Sequence, residues 1–130
     1  MKTRQLGAKG PTVSEMGLGC MSMSPVYGQS LDEPEAVATL ERALEIGINF
    51  WDTADVYGPH HNETLIGNVL KGRRDKVFLA TKFGIGMKNG AVGVNGAPDY
   101  VRTAIEGSLQ RLQTDHVDLY YLHRVDRDTP

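Results

Sequence analysis

Phe50-Trp51-Asp52-Thr53-Ala54-Asp55-Val56-Tyr57-Gly58 is the stretch on which the reading of this chain turns. Residues Ile48 to Ala54 alternate as a strand does, and the alternation puts Ile48, Phe50, Asp52 and Ala54 on one side. A carboxylate therefore tops an otherwise apolar row, and Tyr57 follows five residues later, past the strand's end. Two later strands repeat this design. In Val77 to Phe83 the shared side holds Phe78, Ala80 and Lys82; in Val117 to His123 it holds Val117, Leu119, Tyr121 and His123.

Helices are predicted between these strands. Asp32 followed by Glu35 makes a capping-box-like start for a helix from Glu33 to Ile46. Its apolar face is Ala36, Val37, Leu40, Ala43 and Leu44, and Gly47 stops it. Asn62 is expected to cap a second helix that turns Leu65, Ile66, Val69 and Leu70 inward and ends at Gly72. A third begins at Pro98 and Asp99 and carries Val101, Ala104, Ile105, Ser108, Leu109 and Leu112 at helical spacing. Upstream, Lys2 to Leu6 and Thr12 to Met16 read as a hairpin around Gly10-Pro11. Gly17 to Met21 then reads as a short first strand.

Asp52, Tyr57, Lys82 and His123 thus stand at strand ends that a parallel α/β fold brings to one rim. Reducing a carbonyl requires a proton donor held beside a hydride source. A phenol with a pKa near ~10 gives up its proton poorly at neutral pH unless a neighbouring cation stabilises the phenolate. Tyr57 is the candidate donor and Lys82 the candidate cation. Asp52 would keep Lys82 charged and aimed, and His123 would hydrogen-bond the substrate oxygen. Singly, each has a plainer role: a turn cap, a half-buried loop aromatic, a snorkelling lysine, a satisfied core histidine. The shared rim favours the joint role.

These residues resemble the catalytic tetrad of the aldo-keto reductases. Phe50 to Gly58 is similar to the family's D-T-A-x-x-Y segment, Leu79-Ala80-Thr81-Lys82-Phe83 to its T-K strand end, and Val117 to His123 to its D-L-x-x-x-H strand. The likeness runs from Leu6 to Asp126. It implies an α/β fold that is the first half of a (β/α)8 TIM barrel with an N-terminal β-hairpin, a fold that takes about 250 residues when complete. Residues 1–130 would be the N-terminal part of one barrel domain, with a hairpin, four strands and three helices, the C-terminal half being absent. The resemblance also implies NADPH/NADP as cofactor and a small aldehyde or ketone as substrate. Gly19, Cys20, Met21 and Asp52 would lie at the nicotinamide end, while most of the dinucleotide site lies beyond residue 130.

Composition narrows the alternatives. Within 130 residues the formal net charge is −2, too small to steer a polyanion, so no nucleic-acid partner is expected. The basic cluster Lys71 to Lys76 reads as a solvated loop. The one cysteine, Cys20, excludes an intramolecular disulfide and fits a reducing compartment. Met1 to Gln5 leads into no apolar run, so neither signal peptide nor membrane span is expected, and the cytoplasm is the default address. His60-His61 lack further ligands nearby, so no metal site is expected. Gly84 to Gly90 departs from a dinucleotide fingerprint because position 89 is Asn and no helix follows; a flexible loop over the rim is the expectation.

Several functions compete. The first is an NADPH-dependent reductase. A second is a reductase-like cofactor-binding regulatory subunit. A third is a truncated, catalytically silent half barrel that self-associates through open sheet edges. An unrelated barrel lyase or isomerase is disfavoured, because no Schiff-base or metal constellation accompanies Lys82.

Overall fold

A computed structural model describes residues 1–25, 32–88 and 91–130, with the backbone alone for residues 87 and 88. Strands β1 (Thr3–Gln5) and β2 (Thr12–Ser14) form the antiparallel N-terminal hairpin. Next come β3 (Gly17–Gly19), helix α1 (Glu33–Glu45), β4 (Phe50–Asp52), α2 (His61–Leu70) and β5 (Phe78–Phe83). A second hairpin, β6 (Ile85–Lys88) and β7 (Ala91–Val94), precedes α3 (Pro98–Leu112) and β8 (Leu119–Leu122). Strands β3, β4, β5 and β8 make one parallel sheet in that order, so each strand joins the next through a helix. No helix among the described residues is long and apolar enough to cross a membrane.

Local chemistry explains most boundaries. The Asp32 carboxylate accepts from the Glu35 backbone N–H at 3.0 Å, Pro34 lies in the first turn of α1, and Gly47 takes φ +79° just past its end. Ala36, Leu40 and Ala43 are buried, with Val37 and Leu44 packed beside them. Leu65, Ile66, Val69 and Leu70 of α2 are likewise buried. At Gly67 a Cβ would stand 2.5 Å from the Arg111 carbonyl oxygen, so the glycine is what lets α2 meet the last turn of α3. The N-terminal hairpin is tied to the start of β4: Ser14 N–H donates to Asn49 Oδ1 at 2.7 Å, and Asn49 N–H donates to Ser14 Oγ at 3.0 Å.

Parity on the strands follows the sequence, and the packing adds a second fact. The register aligns Phe50 with Phe78, Asp52 with Ala80 and Leu119, and Lys82 with Tyr121, so the expected rows share one face. That face is the less covered one: Tyr121 is 37% exposed. The opposite row, Trp51, Leu79 and Thr81, is fully buried under the helices. The core therefore lies between the sheet and the helices, with Trp51 and Leu79 packed beside Leu40 and Ile66.

Four expectations change. Asn62 does not cap α2: the cap position is His60, at φ 66°, and Asn62 lies inside the helix, fully buried. The stretch after β5 is the hairpin β6–β7, not an irregular loop, with Gly86 facing Gly93 across the ladder; the part of that expectation covering residues 89 and 90 lies outside the described residues. Met21 leaves the first strand and opens a short 3-10 turn, Met21–Met23. The basic cluster is not merely solvated. Arg73 pairs with Glu41 and donates to the Val69 carbonyl at 2.8 Å, while Arg74 pairs with Asp118 at 2.6 Å. Asp118 in turn accepts from the Leu79 N–H at 2.7 Å, fastening β8 to β5. The loop expected over Ser22 to Ser30 falls in part on residues 26–31, outside the described residues.

Candidate active site

Beyond Asp52 the parallel ladder continues into the rim. Cys20 N–H donates to the Asp52 carbonyl at 2.9 Å, Thr53 N–H to Ala80 at 2.9 Å, Asp55 N–H to Lys82 at 3.0 Å and His123 N–H to Phe83 at 2.9 Å. These bonds hold four strand ends at one level. Lys82 stands two residues beyond the level of Asp52, and its long side chain reaches back to it. The ammonium donates to Asp52 Oδ1 and, at 2.8 Å, to the Thr53 carbonyl. It is also 5.1 Å from the centroid of the Tyr57 ring.

Tyr57 is returned to the rim by the turn that leaves β4. Its N–H donates to Ala54 at 3.2 Å, its carbonyl accepts from Asn62 N–H at 3.2 Å, and His60 N–H donates to Asp55 at 2.8 Å. Gly58, at φ +71°, completes the turn; a Cβ there would stand 2.7 Å from Ser24 Cβ. The Tyr57 and His123 rings meet edge to face with centroids 5.8 Å apart. Burial, then the charges of Lys82 and Arg124, hold the His123 imidazole below the ordinary histidine range, against a smaller opposing effect of Asp52. It is therefore neutral at physiological pH, and its Nδ1 is buried without a partner among the described residues. The structure thus brings Asp52, Tyr57, Lys82 and His123 together.

The expected cofactor contacts are placed unequally. Gly19 is exposed, with no atom within 4 Å of where a Cβ would stand, so the rim beside Asp52 is open to a bound group. Met21 is 38% exposed and lines a cleft of about 320 Å3 with Tyr57, Ile85, His123 and Arg124. Cys20 is fully buried, its Sγ donating to the Leu18 carbonyl at 3.6 Å. Burial, then the Asp52 charge, pushes the thiol up to about 12. Its carbonyl already accepts from Asn62 Nδ2 at 2.7 Å. Among the described residues no group of three or more His, Cys, Asp or Glu side chains is arranged to hold a metal.

Behind the rim lie polar residues that sequence reasoning missed. Asn62 accepts from Thr53 Oγ1 at 2.6 Å and donates to Ser24 Oγ at 2.9 Å besides Cys20, so one side chain ties the ends of β3 and β4 to α2. Ser24 also pairs with His61 Nδ1 at 2.8 Å. Glu63, fully buried, accepts from Thr81 Oγ1 at 2.6 Å and from Arg111 Nε at 2.7 Å. Asp55 is buried nearby. Burial first, then the Glu63 charge, pushes its carboxyl up to about 6, against the Arg111 charge and a Val56 N–H bond. The sequence signal for Asn62 and Glu63 is polarity at helix positions next to the buried stripe.

The sequence profile of the Aldo/keto reductase family matches residues 15–130. The chain belongs to the aldo/keto reductase family. The holo form of an aldo-keto reductase from Bacillus halodurans is similar to it at 43% identity and a TM-score of 0.87, with 100% of this chain matched to 42% of that one. A glycerol dehydrogenase from Gluconobacter oxydans is 32% identical, TM-score 0.83, over 98% of this chain and 41% of its own. An aldo-keto reductase from Klebsiella pneumoniae in complex with NADPH is 32% identical, TM-score 0.67, over 88% of this chain and 37% of its own. This aldo/keto reductase chain thus spans less than half the length of these structures, and its parallel sheet with helices is a partial (β/α)8 barrel. Its family is one of oxidoreductases.

Proposed function

We propose that these residues form the proton-transfer half of an NADPH-dependent carbonyl reductase, converting an aldehyde or ketone to an alcohol. The observation that carries this reading is the Lys82 ammonium, held between Asp52 and the Thr53 carbonyl and lying against the Tyr57 ring. NADPH, when bound, supplies the hydride to the carbonyl carbon. Gly19 and Met21 border the nicotinamide end from the rim. The Tyr57 hydroxyl gives its proton to the carbonyl oxygen as negative charge builds there. Lys82 lowers the cost of the phenolate left behind, because a cation beside it favours the ionised form. Asp52 holds the Lys82 ammonium and aims it. His123, neutral, donates a hydrogen bond from its ring N–H to the same oxygen, so the carbonyl is oriented before proton transfer.

The test is Tyr57→Phe in a full-length barrel carrying these residues. General acid catalysis contributes ~10²–10⁴-fold, so NADPH consumption with a simple aldehyde should fall by that factor or more while NADPH affinity stays near its original value. Near-normal turnover would refute the assignment. NADPH binding without turnover in the unsubstituted barrel would instead favour a cofactor-binding regulatory subunit.

A further inference from the structure

The cleft beside Tyr57 and His123 has an uneven lining. Tyr57 and His123 bring to it the groups proposed to hold a carbonyl oxygen, and Met21, Val56, Pro59 and Ile85 add apolar lining. Its volume of about 320 Å3 suits a small ligand. Arg124 is the only described lining residue with a full charge at neutral pH. Its guanidinium forms no ion pair with any described residue.

The backbone on both sides of Arg124 is held in place, while the residue itself is exposed. Upstream, His123 N–H is bonded to the Phe83 carbonyl. Downstream, Asp126 is buried; its carboxylate accepts from Gly96 N–H at 2.8 Å, Asp128 N–H at 3.0 Å and Thr129 Oγ1 at 2.8 Å. The backbone carrying Arg124 is therefore fastened to the segment that enters α3. A planar guanidinium presents paired donors that match a carboxylate, and such charge-assisted bonds are about twice as strong as neutral ones.

Resting on the reductase reading above, we propose that Arg124 makes this site selective for carbonyl compounds that carry a carboxylate a few bonds from the reacting carbon. His123 and Arg124 line one cleft of about 320 Å3, so a carbonyl at the first and a carboxylate at the second fit one short substrate. The apolar wall packs the methylenes between them.

The test compares succinic semialdehyde with butanal, which share a four-carbon chain and differ in the carboxylate, in the full-length barrel and its Arg124→Met and Arg124→Lys variants. Arg124→Met should lower kcat/KM for succinic semialdehyde about tenfold or more, leave butanal nearly unchanged, and be partly rescued by Lys, since a hydrogen bond to a charged group contributes about 1.5–3 kcal/mol. An equal loss for both aldehydes with a raised KM for NADPH would overturn the proposal and assign Arg124 to the cofactor's phosphates. A readout independent of turnover separates this from the reductase reading itself. The His123 imidazole NMR shifts should saturate at a lower concentration of succinic semialdehyde than of butanal, and Arg124→Met should abolish the difference. The same response in both proteins would overturn the proposal whether or not either aldehyde is reduced.

Discussion

Replacing Asp55 by Asn should stabilise the protein at neutral pH and lose much of that effect in acid. Asp55 is 6% exposed, its Oδ1 has no hydrogen-bond partner among the described residues, and its carboxyl is pushed up to about 6 from 3.8. The raised value means that the folded state holds this proton more tightly than the unfolded chain does. Stability from Asp55 is therefore fully present below the unfolded pKa, falls as pH rises towards about 6, and stays low above it. About two pH units at about 1.4 kcal/mol each set a ceiling of about 3 kcal/mol at neutral pH. Asn is nearly the same size and cannot ionise, so it removes this cost. From about pH 4.5 to about pH 7.5 its advantage should grow by about 2 kcal/mol, because at the lower pH the unfolded chain is mostly ionised while the folded protein still keeps the proton. Urea unfolding at the two pH values measures this. At an m-value of about 1–3 kcal/mol/M the midpoint difference between variant and parent should widen by about 1 M. A pH-independent advantage, or a variant less stable at both pH values, would refute the reasoning.

Other consequences concern the polar supports and the chain by itself. Glu63→Ala should cost about 3–5 kcal/mol, at the lower end because Arg111 retains some access to water, and Arg111→Met in the same background should recover part of it; urea titration of the three proteins decides. Asn62→Ala should cost about 1–3 kcal/mol by leaving the buried Thr53 hydroxyl without its partner and removing one of those of Ser24, and a thermal shift indistinguishable from that of an exposed substitution such as Asn68→Ala would contradict the tie. Residues 1–130 alone should not bind NADPH with saturable micromolar affinity, since they match only 42% of the length of the Bacillus halodurans holo structure. Fluorescence titration combined with sedimentation tests that; saturable binding by a monomer would overturn it, and self-association is expected through the less covered sheet face.

Much of this architecture is legible in the residues themselves. Helix faces such as Ala36, Leu40 and Ala43 follow from periodicity, because burying an apolar stripe is what stabilises an amphipathic helix. Strand parity likewise puts Asp52, Lys82 and Tyr121 on one face before any contact is known, since side chains alternate with period two. The Asp32 cap is local chemistry and needs nothing distant. What periodicity does not encode is which polar group meets which. Glu63 reads as an ordinary helix-surface acid, yet it is fully buried because Arg111, 48 residues later, arrives beside it. Asn62 looks like a cap and instead reaches Cys20 and Ser24, 42 and 38 residues back. Gly84 to Gly90 reads as a loop because its glycines weaken any strand signal, and only pairing of Ile85–Lys88 with Ala91–Val94 makes a hairpin of the stretch. The sequence alone determined the order of the parallel strands and their helices and the side of the sheet that carries the candidate tetrad. Tertiary structure decided the buried polar ties behind it, because a buried hydrogen bond or ion pair exists only when two distant segments have already been packed together.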